Sequence, residues 1–363
     1  MAIRMKNAAG FSLVEVMVAM VIALLGTIII FQVFAVSESI KRTSTSGGDA
    51  QQFGALGLYT IERELRLAGL GINNQNLIGC TLRSYNNTAS PQVIPSYQLS
   101  QVLIAPGASN AIPDSITVTY GNSPLLASSI NVTQNMANAT STIRVSNRFG
   151  IALNNLLVLA EAGKDCTMIQ ATGLPTVTGS TDQVLHDSAT GQYNNSDISW
   201  PSYSTNGMAF NLGTTLTRDT YSISNSQLTM SSAYGSTTPV IVADNIVSLK
   251  AQYGHDDGVN NGTVDNATYS VGDGQVDNYT NAMPGTPTNF DWLRVLSVRV
   301  ALVARSALPE KPNTQGGPCD ATTSAPTWAG GTFDLTSDAN WKCYRYRVFE
   351  TTIPLRNMIW QQL

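Results

Sequence analysis

Residues 10–37 read GFSLVEVMVAMVIALLGTIIIFQVFAVS. From Val16 to Ser37 there is no charged side chain, a run of 22 positions. As a helix this run spans about 33 Å, enough for a bilayer core of about 30 Å. The ten residues up to and including Gly10, MAIRMKNAAG, carry Arg4 and Lys6. A secretory signal peptide has its small-residue cleavage site after the apolar run. Here the short basic leader and its glycine lie before it. Lys41 and Arg42 flank the far end, so basic residues alone do not set the orientation of the segment.

Glu15 breaks the apolar pattern. A carboxylate deep in a bilayer costs about 2.5–3.5 kcal/mol on insertion scales, which marks it as functional and in need of a cation. Cleavage after Gly10 would supply one. It would expose the α-amine of Phe11 to the Glu15 of the same chain or of a neighbouring subunit.

Basic leader, Gly10, Phe11, Glu15 and apolar run, in that order, resemble the processing motif of type IV pilins and type II secretion pseudopilins. The resemblance implies cleavage between Gly10 and Phe11 by a prepilin peptidase, N-methylation of Phe11, and an assembly-register role for Glu15. It also implies a single pass through the inner membrane with a cytoplasmic N-terminus and a periplasmic head, and an extracellular pilus after assembly. Loss of the leader, with Arg4 and Lys6, takes the net charge from -4 to -6.

The first proline is Pro91, so the helix can continue past the membrane. Leu58, Ile61 and Leu65 share a face, and Glu62 stands four residues before Arg66. Gly47 and Gly48 would loosen the helix, and Gly69 and Gly71 are stop signals. Beyond them, short alternating runs read as antiparallel strands: 115–120, 142–146, 156–160, 167–171, 221–224, 227–231, 246–253, 294–304 and 343–353. The expected fold is α+β and pilin-like. A long N-terminal helix, transmembrane in its first half, packs on a large antiparallel β-rich head. The expected organisation is a leader at 1–10, a transmembrane and filament-core helix at 11–37, an amphipathic helix at 38–70 and the head at 71–363. Surface loops are expected near 187–207, 255–291 and 307–342.

Three blocks resemble the PilW family of minor pilins: VRVALVARS at 298–306, YRVFETTIPLRN at 346–357, and ERELRLAGLG at 62–71. This resemblance implies a place in the tip or priming complex that initiates pilus assembly and supports adhesion or twitching motility. The implied partners are other minor pilins, the major pilin and a large tip adhesin. The rival readings are a minor pseudopilin of a type II secretion system and a membrane-anchored periplasmic adhesin or enzyme.

The four cysteines lie beyond the apolar run and allow three pairings. Cys80–Cys166 and Cys319–Cys343 are preferred. The second pair would join a Gly/Pro-rich loop to the start of the last strand. The first would tie the post-helix segment to a strand edge, as the resemblance to PilW-like proteins implies. In the chain-entropy model these loops stabilise by about 4.6 and 3.5 kcal/mol. No CxxC occurs, which disfavours zinc.

From Ala251 to Leu293 there is no Lys or Arg, yet there are six aspartates. NGTVD at 261–265 and DGQVD at 273–277 resemble the middle of a calcium loop. Asp257, Asn261 and Asp265 fit positions 1, 5 and 9, while Val259 and Thr268 fail positions 3 and 12. The candidate calcium ligands are therefore Asp257, Asn261, Asp265, Asp273 and Asp277, against the alternative of a solvated acidic loop. The family resemblance adds that related pseudopilins bind calcium.

Only 12% of the chain is charged, against about 25% in ordinary soluble domains. With 43% hydrophobic residues the chain is not disordered. With a net charge of -4 it is not expected to bind nucleic acid. The two histidines, His186 and His255, lie in loop-like sequence, and no nucleophile elbow, P-loop, zincin or dinucleotide motif occurs. No catalytic residue is assigned, and the chain is read as a non-enzyme. Trp292, Trp341 and Trp360 are read as core rather than as a sugar-facing surface. The intact mass of the native protein is expected to lack residues 1–10, to carry one added methyl group, and to rise by four hydrogens on reduction. An unprocessed mass would overturn the N-terminal reading.

Overall fold

A single helix, Leu13–Leu67, runs for 55 residues, about 80 Å at the α-helical rise. In the computed structural model the described residues are 12–359, except 125–128, 139, 197–199, 258, 261–262, 265–273, 284, 286, 311 and 313–316. The helix passes through Gly47 and Gly48 without a break, and nothing lies within 4 Å of where their Cβ atoms would be. Its two halves meet different surroundings. Leu13–Glu38 has a mean hydropathy of 2.7 and is 0% buried within the chain. From Ala50 onward one face is buried, with Ile61 and Leu65 fully covered and Leu58 packed beside them. Glu62 and Arg66 pair on the exposed side. The helix stops where positive φ is needed, at Gly69 (+82°) and Gly71 (+79°). There the chain passes into a sheet: Gly69 N–H donates to Thr119 O at 3.0 Å, and Gly121 N–H to Leu70 O at 2.7 Å.

The head is built on three mostly antiparallel sheets, so the fold is α+β as expected. The first runs Val93–Gln98, Thr81–Tyr85, Cys166–Gln170, Leu156–Ala160, Met208–Gly213, Ile130–Asn131, in spatial order. The second runs Val240–Asp244, Gln227–Ser232, Leu216–Ser224, Ser115–Gly121, Val102–Ala105. The third runs Asn278–Thr280, Ile246–His255, Val295–Arg305, Tyr346–Pro354. The second and third sheets share one core with the helix. Ile61 and Leu65 join Ile116, Val118, Leu228, Leu249, Val300 and Leu302 there.

Val295–Arg305 differs from its sequence reading as a half-buried strand. Val298, Val300 and Leu302 face the helix core, while Ala301 and Val303 are covered by Phe333 and Leu335 from a later loop. Both faces are therefore covered around Ala301 and Val303, while Arg299 and Arg305 stay half-buried. The last strand begins at Tyr346 rather than Cys343, because Trp341–Cys343 forms a 3-10 turn. Strands Thr81–Tyr85, Val93–Gln98, Val102–Ala105, Met208–Gly213 and Val240–Asp244 were not foreseen from the pattern.

Two helix glycines make the close approach to the sheets possible. A Cβ on Gly57 would lie 3.1 Å from Leu228 and 3.2 Å from Leu302, and one on Gly54 would collide with the Phe349 ring. Gly57→Leu is expected to destabilise the protein by about 1–3 kcal/mol through overpacking. Gly48→Ala, in open space on the same helix, is expected to stabilise it by up to about 1 kcal/mol. Urea unfolding of the detergent-solubilised chain, followed by circular dichroism, reads both. Equal effects at the two sites would refute the seam.

Candidate functional site

Ser12 is extended (φ -70°, ψ 145°) and stands before the first helical residue, its carbonyl accepting Val16 N–H at 3.1 Å. Gly10 and Phe11, the predicted processing pair, lie outside the described residues. Glu15 is the acid of the first turn, where the unpaired N–H groups favour negative charge. It is exposed, as are the apolar side chains around and beyond it: Leu13, Met17, Met20, Leu24, Phe31 and Phe34 all show more than half of their surface. Apolar residues cover the helix on every side, which is the pattern of a segment surrounded by lipid or by other helices. Thr27 satisfies its hydroxyl internally, on Leu24 O at 2.8 Å. Glu15 is thus the only charged side chain between Leu13 and Ser37, with Glu38 at the far end of the rod.

The structure contains the disulfides Cys80–Cys166 and Cys319–Cys343. The first lies next to a parallel pairing, Leu82 with Cys166 and Arg83 with Thr167, between a strand just after the helix and one about 80 residues later. Such a pairing has no hairpin turn to set its register. The bridge fixes it, and the Arg83–Asp165 ion pair at 2.8 Å lies alongside. The second disulfide ties the loop near Glu310 to the base of the last strand. There Glu310 N–H donates to Cys343 O at 2.7 Å, and Arg345 makes a two-pronged pair with the Glu310 carboxylate.

Of the five candidate calcium ligands, Asn261, Asp265 and Asp273 lie outside the described residues. Asp257 and Asp277 come together, and Asp256 joins them, with one carboxylate oxygen from each within 4.8 Å of the others. Asp256 is fully buried and was missed by the loop spacing. Its Oδ2 accepts Gly274 N–H at 2.8 Å, and Asp277 Oδ2 accepts Asp257 N–H at 2.8 Å. Three close carboxylates suit a hard cation. The same carboxylates also close the loop on itself through backbone donors. Beside them, burial and then the positive Arg294 hold His255 below the usual imidazole range, so it is neutral at pH 7. Trp292 is core and Trp341 half-buried, while Trp360 lies outside the described residues.

Thermal unfolding in millimolar calcium against chelator separates the two roles of the acidic corner. The calcium expectation calls for a higher midpoint with the cation. An unchanged midpoint assigns the three carboxylates to loop closure alone.

Residues 5–31 match the prokaryotic N-terminal methylation motif, a stretch that contains Gly10, Phe11 and Glu15. Residues 209–357 match the family described as type IV pilus-assembly protein W. That match opens within the Met208–Gly213 strand, takes in the helix-facing strand Val295–Arg305 and closes in the short helix Arg356–Ile359. No curated protein and no solved structure matches the chain. The chain is thus pilin-like, with a methylation-type N-terminus over residues 5–31 and a match to the type IV pilus-assembly protein W family over residues 209–357.

Proposed function

We propose that the chain is a minor pilin of the tip or priming complex that starts type IV pilus assembly and supports adhesion or twitching motility. Its neighbours in this reading are other minor pilins, the major pilin and a large tip adhesin. Prepilin peptidase removes residues 1–10, and Phe11 is methylated at its new amine. The head is periplasmic before assembly and extracellular in the pilus.

The observation that supports this most is the bare apolar rod Leu13–Glu38 with Glu15 in its first turn. None of the rod is covered by the chain's own head, so its partners must be lipid and then other subunits. A lone carboxylate among apolar helices is stable only opposite a positive group. The Phe11 amine of a neighbour supplies that group at one axial offset. Any other offset strands both charges in a low-dielectric bundle, where a charge pair interacts far more strongly than in water. The pair therefore selects register. The match to a pilus-assembly family over residues 209–357 favours the pilus over a secretion pseudopilus.

Glu15→Ala is expected to insert in the membrane at the wild-type level and to fall below about a tenth of the wild-type amount in sheared pili, since one charge-assisted contact in apolar surroundings is worth several-fold or more in occupancy. Wild-type recovery of the variant in sheared filaments would sink the register role.

A further inference from the structure

A pocket of about 310 Å³ opens on the face of the third sheet that points away from the helix. Along Ile246–His255, Leu249, Ala251 and Tyr253 enter the helix core, while the side chains of Lys250 and Gln252 point to the opposite side and line the pocket. Its volume lies at the lower end of small-molecule sites, roughly 300–1,000 Å³.

The two charges in the lining cancel internally. Lys250 Nζ donates to Asp114 Oδ1 at 2.9 Å and to Ile112 O at 2.7 Å, and Asp114 Oδ2 accepts Ala251 N–H at 3.0 Å. Asp114 Oδ1 also takes Gly107 N–H at 2.9 Å, which fixes the 107–114 loop as one wall. Both side chains of this ion pair are largely buried, at 12% and 4% exposure. The pocket therefore offers no spare charge to an ionic ligand.

Its remaining side chains offer neutral hydrogen bonds and one aromatic surface. Gln252 Oε1 is sealed from solvent and accepts no hydrogen bond among the described residues, so it lies out of reach of a ligand in the pocket. Asn110 and Asn281 stand in the lining with donor and acceptor amides. Trp328 comes from a two-residue hairpin, Thr327–Trp328 with Gly331–Thr332. Its indole lies so close to Gly330 that any Cβ there would collide with it, and the Phe333 ring packs beside it at 6.0 Å between ring centroids. Ala329 N–H donates to Glu350 Oε2 at 3.0 Å and clamps the hairpin to the last strand. Arg299, cross-strand partner of Gln252, is stacked on the Tyr279 ring at 3.6 Å.

A held aromatic side chain beside uncharged amides matches one chemistry. A sugar ring has an apolar C–H face for the indole and a rim of hydroxyls that both donate and accept. We propose that this pocket binds a neutral sugar ring, with Trp328 against the ring and Asn110 and Asn281 on its hydroxyls. An aliphatic ligand would leave the amides unpaired. A charged one would shed water for no counter-charge.

The test uses the full chain in a zwitterionic detergent with no sugar headgroup. Glucose, galactose, mannose, N-acetylglucosamine and N-acetylgalactosamine are titrated, with N-acetylneuraminate as the charged comparison. Saturation-transfer NMR and indole fluorescence report binding. At least one neutral sugar is expected to bind saturably in the millimolar range. Trp328→Ala and the surface change Asn281→Ala are each expected to weaken it at least tenfold, with circular dichroism confirming the fold. If Trp328→Ala does not fold, Asn281→Ala carries the test alone. Absence of saturable binding by every neutral sugar, tighter binding of N-acetylneuraminate, or binding that survives the substitutions in folded protein would each overturn the proposal.

Discussion

One continuous helix has to satisfy two surroundings, and the rest of the molecule is arranged around that constraint. Over Leu13–Glu38 it must be apolar in every direction, because nothing in its own chain covers it. Over Ala50–Leu67 it must be apolar on one side only, because the sheets cover that side. A change of surroundings within one helix needs no change of backbone, only of side-chain distribution. The backbone matters at the seam, where Gly54 and Gly57 let the helix lie against Phe349, Leu228 and Leu302. Larger side chains there would hold helix and sheets apart.

The strand that receives the helix is correspondingly the best covered. Val295–Arg305 has sheet neighbours on both sides, the helix on one face and Phe333 with Leu335 on the other. It lies inside the family match, whereas the first sheet is mostly outside it. That division has a physical basis. The helix-bearing half carries the close seam at Gly54 and Gly57. The first sheet joins it through Asn122 N–H on Leu212 O and the Leu216 end of the second sheet, and its own register is held by the Cys80–Cys166 bridge. A sheet with its own staple can vary without disturbing the seam.

How much of this was legible in the sequence depends on how local the signal was. The rod, the buried stripe Leu58–Ile61–Leu65 and the glycine stop are each set by residues within two turns of one another, and periodicity reads them directly. Val295–Arg305 was recognised as a strand, but its burial was understated. The cover for Ala301 and Val303 comes from a loop some thirty residues later, with no pattern of its own. The Met208–Gly213 strand was missed because Asn211 interrupts its apolar run to bond Gly150 O at 2.7 Å. At the acidic corner the spacing rule began one residue late. The ladder slips between Gly254 and His255, opposite Ser297 and Val295, and this slip turns Asp256 inward. Trp328 sits in a hairpin too short for any alternation, so only the folded chain shows it facing the pocket.

The scarcity of charge, which first suggested an exported β-rich chain, has a sharper meaning in the folded molecule. Most ion pairs among the described residues are partly exposed and worth little, as with Arg83–Asp165 and Arg144–Asp182. Lys250–Asp114 is the buried exception, and every polar atom of its carboxylate is used to hold a loop. Asp256 and Asp277 likewise accept backbone N–H groups. In the head, then, buried charge closes loops that the sheets alone would leave open. Glu15 is of another kind. Among the described residues it closes no loop, and a carboxylate in the first turn of an apolar rod calls for a cation from outside them.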